Sequence, residues 1–160
     1  MPGHRVPALR IGLISDTHDL LREEARRALS GCERIIHAGD ICAHTVLDAL
    51  AMIAPVSAVR GNNDRGSWAD SLPATALLRI EAVSILVVHD LATLDVAPAA
   101  LGARVVVCGH SHRPAIDERN GVLYVNPGSA GPRRFRLPVS VAYLDVHDGV
   151  VEARLCELTV

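Results

Sequence analysis

The sequence predicts an α/β fold in which two β-sheets carry helices on their outer faces. Three observations point there. Strand-like and helix-like segments alternate through the first two thirds of the chain. The last third reads as short strands joined by tight polar turns. The 160 residues, 49% hydrophobic and 21% charged, suffice for a buried core without disulfides. Residues 1–9 are expected to be an N-terminal extension and 10–160 a single domain, because no repeat or linker interrupts them.

The elements follow in order. Arg10–Ser15 is a short apolar run suited to a buried strand. Leu20–Ser30 carries apolar residues at helical spacing and stops at Gly31. Arg34–Ala38 reads as a strand, Thr45–Met52 as a helix ahead of Pro55, and Val56–Arg60 as a third strand. Ala74–Glu81 and Val83–Val88 are further strands, Val96–Leu101 a short helix or turn, and Arg104–Cys108 strongly β. Ala115–Glu118, Val122–Val125, Val139–Val146 and Val150–Leu158 complete the strands. Asn120-Gly121 and Asp148-Gly149 are dipeptides that suit two-residue hairpin turns.

Composition narrows the function. No apolar run approaches the ~20 residues of a membrane helix, and the opening MPGHRVPALR lacks the apolar centre of a signal peptide, so a cytoplasmic protein without membrane partners is expected. The net charge is −2, every basic residue is Arg, and aromatic residues make up 2%. This balance argues against an extended nucleic-acid groove. Cys32, Cys42, Cys108 and Cys156 form no CxxC pair and read as reduced packing residues. His4, His44 and His147 are expected at the surface, and His37 inside with its hydrogen bonds satisfied.

The residues that follow the apolar strands carry the chemistry. In turn they are Asp16-Thr17-His18, Gly39-Asp40, Gly61-Asn62-Asn63-Asp64, His89-Asp90 and Gly109-His110-Ser111-His112. Ligands of α/β sheets bind outside the carboxyl ends of strands, so these donors converge on one rim if the five strands are parallel neighbours. Carboxylate, imidazole and amide oxygen together suit borderline divalent ions such as Mn, Fe, Zn or Ni. Asp16, His18, Asp40, Asn62, His89, His110 and His112 are too many donors for one ion and about right for two sharing a carboxylate. A DxH triplet alone is weak, and a second one occurs at Asp145–His147. GNxD is expected by chance only about 0.02 times.

With these motifs in this order, the chain resembles the calcineurin-like metallophosphoesterases, specifically their small bacterial and archaeal phosphodiesterase branch. The matching residues are DTH at 16–18, GD at 39–40, GNND at 61–64, His89, GHSH at 109–112, and NPGS at 126–129 followed by a Pro-Arg. The resemblance implies a β-sandwich of two mixed sheets flanked by helices. It implies two divalent ions, manganese foremost, with nickel, iron or zinc as alternatives. Asp16, His18 and His112 would hold one ion and Asn62, His89 and His110 the other, with Asp40 bridging. It implies hydrolysis of a small phosphodiester by in-line attack of a metal-bridging hydroxide. No Ser or Cys nucleophile is then required.

Two positions depart from the family pattern. Asn63 stands where larger relatives carry a histidine acid. An amide can offer substrate a hydrogen bond but cannot protonate a leaving group near neutral pH, so acidic leaving groups should react best. Asp90 replaces the usual glycine and either orients His89 or repels an anion. Asp64 is expected to fix its loop. Arg65, Ser129 and Arg133 are candidate substrate contacts. A phosphomonoesterase or protein phosphatase of the same fold, and a non-catalytic scaffold resembling the retromer subunit, are the alternatives. Short edge strands leave homo-oligomer pairing open.

Overall fold

A computed structural model describes residues 8–160. His4 and most of the expected extension 1–9 therefore lie outside the described residues. The first sheet has the order β10 (Val150–Glu157), β9 (Ser140–His147), β1 (Leu9–Ile14), β2 (Arg34–His37), β3 (Val56–Ala58). The second has the order β4 (Thr75–Ile80), β5 (Val83–Val88), β6 (Val105–Val107), β8 (Val122–Asn126), β7 (Ala115–Arg119). Both are mixed. β1, β2 and β3 run parallel, as do β5, β6 and β8; β9 pairs antiparallel with β1 in the first sheet, and β4 and β7 pair antiparallel with β5 and β8 in the second.

The two sheets bury their inner faces against each other. Alternate residues supply this core: Ile11 and Leu13 from β1, Val105 and Val107 from β6, Ala142, Leu144 and Val146 from β9. The outer face of the first sheet is covered by α1 (Glu23–Leu29) and α2 (His44–Ala51) through Leu29, Val46 and Leu50. The outer face of the second carries only two short 3-10 turns, Leu91–Thr93 and Pro98–Leu101, so its cluster of Leu86, Val88, Val106 and Cys108 is smaller. Among the described residues no helix is long and apolar enough to cross a membrane.

Most expected elements form within two residues of their predicted bounds. Asn120-Gly121 and Asp148-Gly149 both have positive φ at each position, as a type I′ turn requires. Two differences bear on the site. The five donor-bearing strands are not neighbours in one sheet: three belong to the first sheet and two to the second, and the donors meet where the two sets of carboxyl ends face each other. The helix expected from Leu20 begins only at Glu23. The chain before it is tied to the next strand end instead, by the N–H groups of Asp16, His18 and Asp19 donating to the carbonyls of Gly39, Asp40 and Ile41 at 3.0, 3.0 and 2.9 Å.

Candidate metal centre

Each parallel strand ends in a loop that must turn sharply to present its side chain. Five of the seven candidate ligands, Asp16, His18, Asp40, His110 and His112, have a positive φ. That backbone region is costly for residues with a Cβ and persists only where the surroundings hold it. Close approach of two glycines makes room. A Cβ on Gly61 would collide with the backbone nitrogen and Oδ1 of Asp40, and one on Gly109 would meet Ser15 Oγ and lie 2.8 Å from Asp16 Oδ2.

Asp16 is fully buried, yet only one of its oxygens is satisfied. Oδ2 accepts from the Ser15 hydroxyl at 2.9 Å and from the His110 N–H at 3.1 Å. Oδ1 has no hydrogen-bond partner. It points among three imidazole nitrogens, the Nε2 atoms of His112, His18 and His89, at 3.4, 3.9 and 3.9 Å. Asp40 Oδ2 lies between two of the same rings, 3.6 Å from His18 Nε2 and 3.3 Å from His89 Nε2. Asn62 Oδ1 sits 3.0 Å from His89 Nε2 and 3.3 Å from His110 Nδ1. His18 and His112 approach each other at 3.3 Å through their Nε2 atoms.

All seven residues singled out from the sequence are therefore gathered in one cluster. Two overlapping groups, Asp16 with His18 and His112, and Asp16 with Asp40 and His89, are compact enough to hold metal. The donors fit divalent cations. A buried carboxylate oxygen left without a hydrogen bond costs free energy unless a cation meets it, and carboxylate with imidazole is a donor set that suits divalent ions.

The charge states agree with that fit. Burial raises the pKa of Asp16, outweighing the lowering by His89 and Ser15. Burial also acts to raise Asp40, but the hydrogen bonds with His89 and Asn63 overcome it and hold the carboxyl well below its ordinary range. Burial pushes His112 down to about 4, helped by the charges of Arg134 and His18, so this ring is neutral and its lone pair free. Burial lowers His89 too, but the hydrogen bond with Asp40 and the charge of Asp16 reverse this and raise it.

A second layer fixes these candidate ligands. Asp64, 6% exposed, accepts the N–H groups of Ile41, Cys42 and Gly61, each at 2.8 Å, and so joins the β2 and β3 loops. His37 is fully buried. Its Nδ1 accepts the Gly39 N–H at 3.1 Å, which leaves the proton on Nε2 to reach the Thr17 hydroxyl at 3.0 Å. Thr17 passes its own proton to the Ile41 carbonyl at 3.2 Å. His37 thus ties the β1 and β2 loops as a satisfied interior histidine. The sequence reading missed Asn126, whose amide donates to the Gly109 carbonyl at 3.0 Å and to Ser111 Oγ at 3.1 Å, holding the GHSH loop. Its place at the end of β8, a sixth polar residue at a parallel strand end, was the available signal.

Several expectations change. Asp90 does not orient His89, whose Nδ1 donates to the Ala38 carbonyl at 2.8 Å. Asp90 instead caps the first 3-10 turn by accepting from Ala92 N–H at 3.1 Å and faces His110 Nε2 at 3.7 Å. The Asn63 amide and N–H both donate to Asp40, at 3.0 and 2.9 Å, so the side chain is engaged with a ligand rather than held out for substrate. Ser129 is 2% exposed and its hydroxyl is occupied by the Asp16 carbonyl at 3.0 Å, which removes it from the surface. Arg65 and Arg133 are exposed. His44 is exposed and His147 half-buried. Cys42 is more than packing, with its Sγ 3.7 Å from His18 Nδ1. Burial raises its thiol to about 11, with nearby Asp64 and Asp40 adding to the rise, so it stays a thiol.

Comparison with known proteins decides the family. Residues 9–149 match the calcineurin-like phosphoesterase superfamily domain. The chain belongs to the calcineurin-like phosphoesterases. A probable metallophosphoesterase of Methanocaldococcus jannaschii is 36% identical to it over 159 residues, 91% of this chain and 79% of that protein. A phosphodiesterase of the same archaeon is 27% identical over 139 residues, 75% of this chain and 83% of that protein. Among solved structures, Vps29 of Chaetomium thermophilum superposes with a TM-score of 0.77 at 21% identity, covering 94% of this chain and 97% of that one, a likeness of fold. The metallophosphoesterase fold implied by the motifs is thus the fold found.

Proposed function

We propose that this calcineurin-like phosphoesterase hydrolyses small phosphodiesters with two divalent ions, manganese foremost and nickel, iron or zinc as alternatives. The observation that carries the proposal is the unpartnered, buried Asp16 Oδ1, aimed among three imidazoles beside Asp40. Asp16, His18 and His112 would hold one ion, Asn62, His89 and His110 the other, and Asp40, which lies between His18 and His89, would serve both. When bound, such ions acidify water toward a pKa of about 7 and neutralise charge on phosphoryl oxygens, which supports in-line displacement.

The chain's own groups prepare this chemistry. The Ala38 carbonyl takes the Nδ1 proton of His89 and leaves Nε2 facing the cluster. Asn63 holds both oxygens of Asp40, and Asp64 holds the backbone on either side. Arg65 and Arg133 are exposed charges available to phosphate oxygens. No side chain of ordinary acidity replaces a leaving-group acid at Asn63, so diesters with acidic leaving groups are the preferred class. The archaeal relative named a phosphodiesterase supports the diester over the monoester.

The test is hydrolysis of bis(p-nitrophenyl) phosphate against p-nitrophenyl phosphate by metal-stripped protein, with Mn, Ni, Zn, Mg or no metal added. Cleavage of the diester that requires metal and disappears in His110→Ala and Asp40→Asn is expected. Faster cleavage of the monoester would make the protein a phosphomonoesterase. No turnover despite two ions bound per chain would favour the scaffold role instead.

A further inference from the structure

The loop after Ser129 carries chemistry that the metal centre does not use. Its root is fastened to the centre. Ala130 N–H donates to the Ser15 carbonyl at 3.1 Å, Ser129 Oγ to the Asp16 carbonyl at 3.0 Å, and Arg22 Nε to the Gly131 carbonyl at 3.0 Å. Gly131 lies so close to Thr17 that a Cβ there would collide with the Thr17 carbonyl. Beyond this anchor Pro132-Arg133-Arg134-Phe135-Arg136 is exposed throughout.

Phe135 is the chain's one phenylalanine, 93% exposed, with φ +54°. A bulky side chain in left-handed backbone is strained, and a bare aromatic face forgoes burial, so neither folding nor turn formation accounts for the residue. It borders a cavity of about 690 Å³ lined by Arg113, Phe135, Arg136 and Leu137. Arg113 directly follows the candidate ligand His112. A chain of net charge −2 thus places two arginines, Arg113 and Arg136, in one cavity with its single phenylalanine.

We propose that this cavity is the subsite for the nucleoside side of the scissile phosphate and that the substrate is a nucleotide ester, with Phe135 stacked on the base and Arg113 and Arg136 paired with the free oxygens of that phosphate. The inference rests on the phosphodiesterase reading above and narrows its substrate class. The volume lies in the range of small-molecule pockets. Arginine suits phosphate by its fork of donors, and any base offers a face for stacking. One platform suits a single nucleotide; a strand would need successive platforms, and a lipid surface would need several apolar side chains at the tip.

Two arms test it. Thymidine 5′-(p-nitrophenyl) phosphate and ethyl p-nitrophenyl phosphate share a leaving group and differ in the nucleoside. The wild type should prefer the first, and in Phe135→Ala the ratio of the two kcat/KM values should fall about tenfold, mostly through KM, while Phe135→Trp retains it. In the second arm the full chain in chelator is titrated calorimetrically with AMP and with ribose 5-phosphate. AMP should bind about tenfold tighter, and Phe135→Ala should remove the difference. If neither ester turns over, the phosphodiesterase reading falls and the AMP arm still decides the subsite. Equal binding of AMP and ribose 5-phosphate overturns the proposal. So does Phe135-dependent binding to anionic vesicles of phosphatidylglycerol without a preference for AMP, which would assign the loop tip to a lipid surface.

Discussion

Asp64→Asn separates the scaffolding of the centre from its ligands. The carboxylate of Asp64 accepts three backbone N–H groups at 2.8 Å in a site that excludes water. Asparagine keeps the shape but turns one acceptor into a donor. Placed toward Gly61, its NH2 group faces an N–H, so one charge-assisted bond worth ~1.5–3 kcal/mol is lost. The two bonds to Ile41 and Cys42 remain but become neutral, which weakens each by about 1 kcal/mol. The sum is about 4 kcal/mol, a large part of a typical domain's stability. Urea unfolding of the metal-free protein should show this as a lower midpoint at unchanged slope. The Asp40 loop should loosen as well, with metal affinity falling about 10–100-fold. A loss below 1 kcal/mol would refute the claim that Asp64 holds the β2 and β3 loops together.

Three further outcomes are expected. Burial holds His37 down at about 3, so the unfolded chain takes up its proton first and stability falls as pH drops below about 6.5. Between pH 7.5 and 5 this group should cost the metal-free protein about 2 kcal/mol, read as the difference in urea unfolding between wild type and His37→Asn; a pH-independent difference would contradict it. Asp16→Asn should stabilise the metal-free protein, raising Tm by about 3 °C, while abolishing metal uptake, because a buried carboxylate raised by burial is replaced by a neutral group. A lower Tm would mean that Asp16 is well satisfied without a cation. Ala82→Gly should stabilise by about 1 kcal/mol in thermal unfolding, because Glu81 and Ala82 form the β4–β5 turn with φ of 48° and 64°; no gain would mean the turn is unstrained.

The candidate site was legible because its donors follow apolar strands, and a strand end is visible in a hydrophobic pattern. Asp16, Asp40, His89 and His110 could be placed in this way without tertiary information. What periodicity does not carry is which strand lies beside which. The division of the donors between two sheets depends on pairing across 94 residues, as in the bond from His110 N–H to Asp16. Side-chain partners suffer the same limit. Asp90 adjoins His89 in sequence, but its side chain caps the 3-10 turn that follows, so its carboxylate meets His110 rather than His89. The helix expected from Leu20 starts at Glu23 for a related reason. Local propensity favours helix there, yet the hydrogen bonds from His18 and Asp19 to the β2 loop draw that segment into the site.

The central claim is that these seven side chains hold two ions at one hydrolytic centre. The measurement that tests it most directly is anomalous diffraction from manganese-soaked crystals. Two peaks about 3.5–4 Å apart are expected, one among Asp16, His18 and His112 and one among Asn62, His89 and His110, with Asp40 between them. A single peak, or manganese bound only elsewhere on the surface, would contradict it.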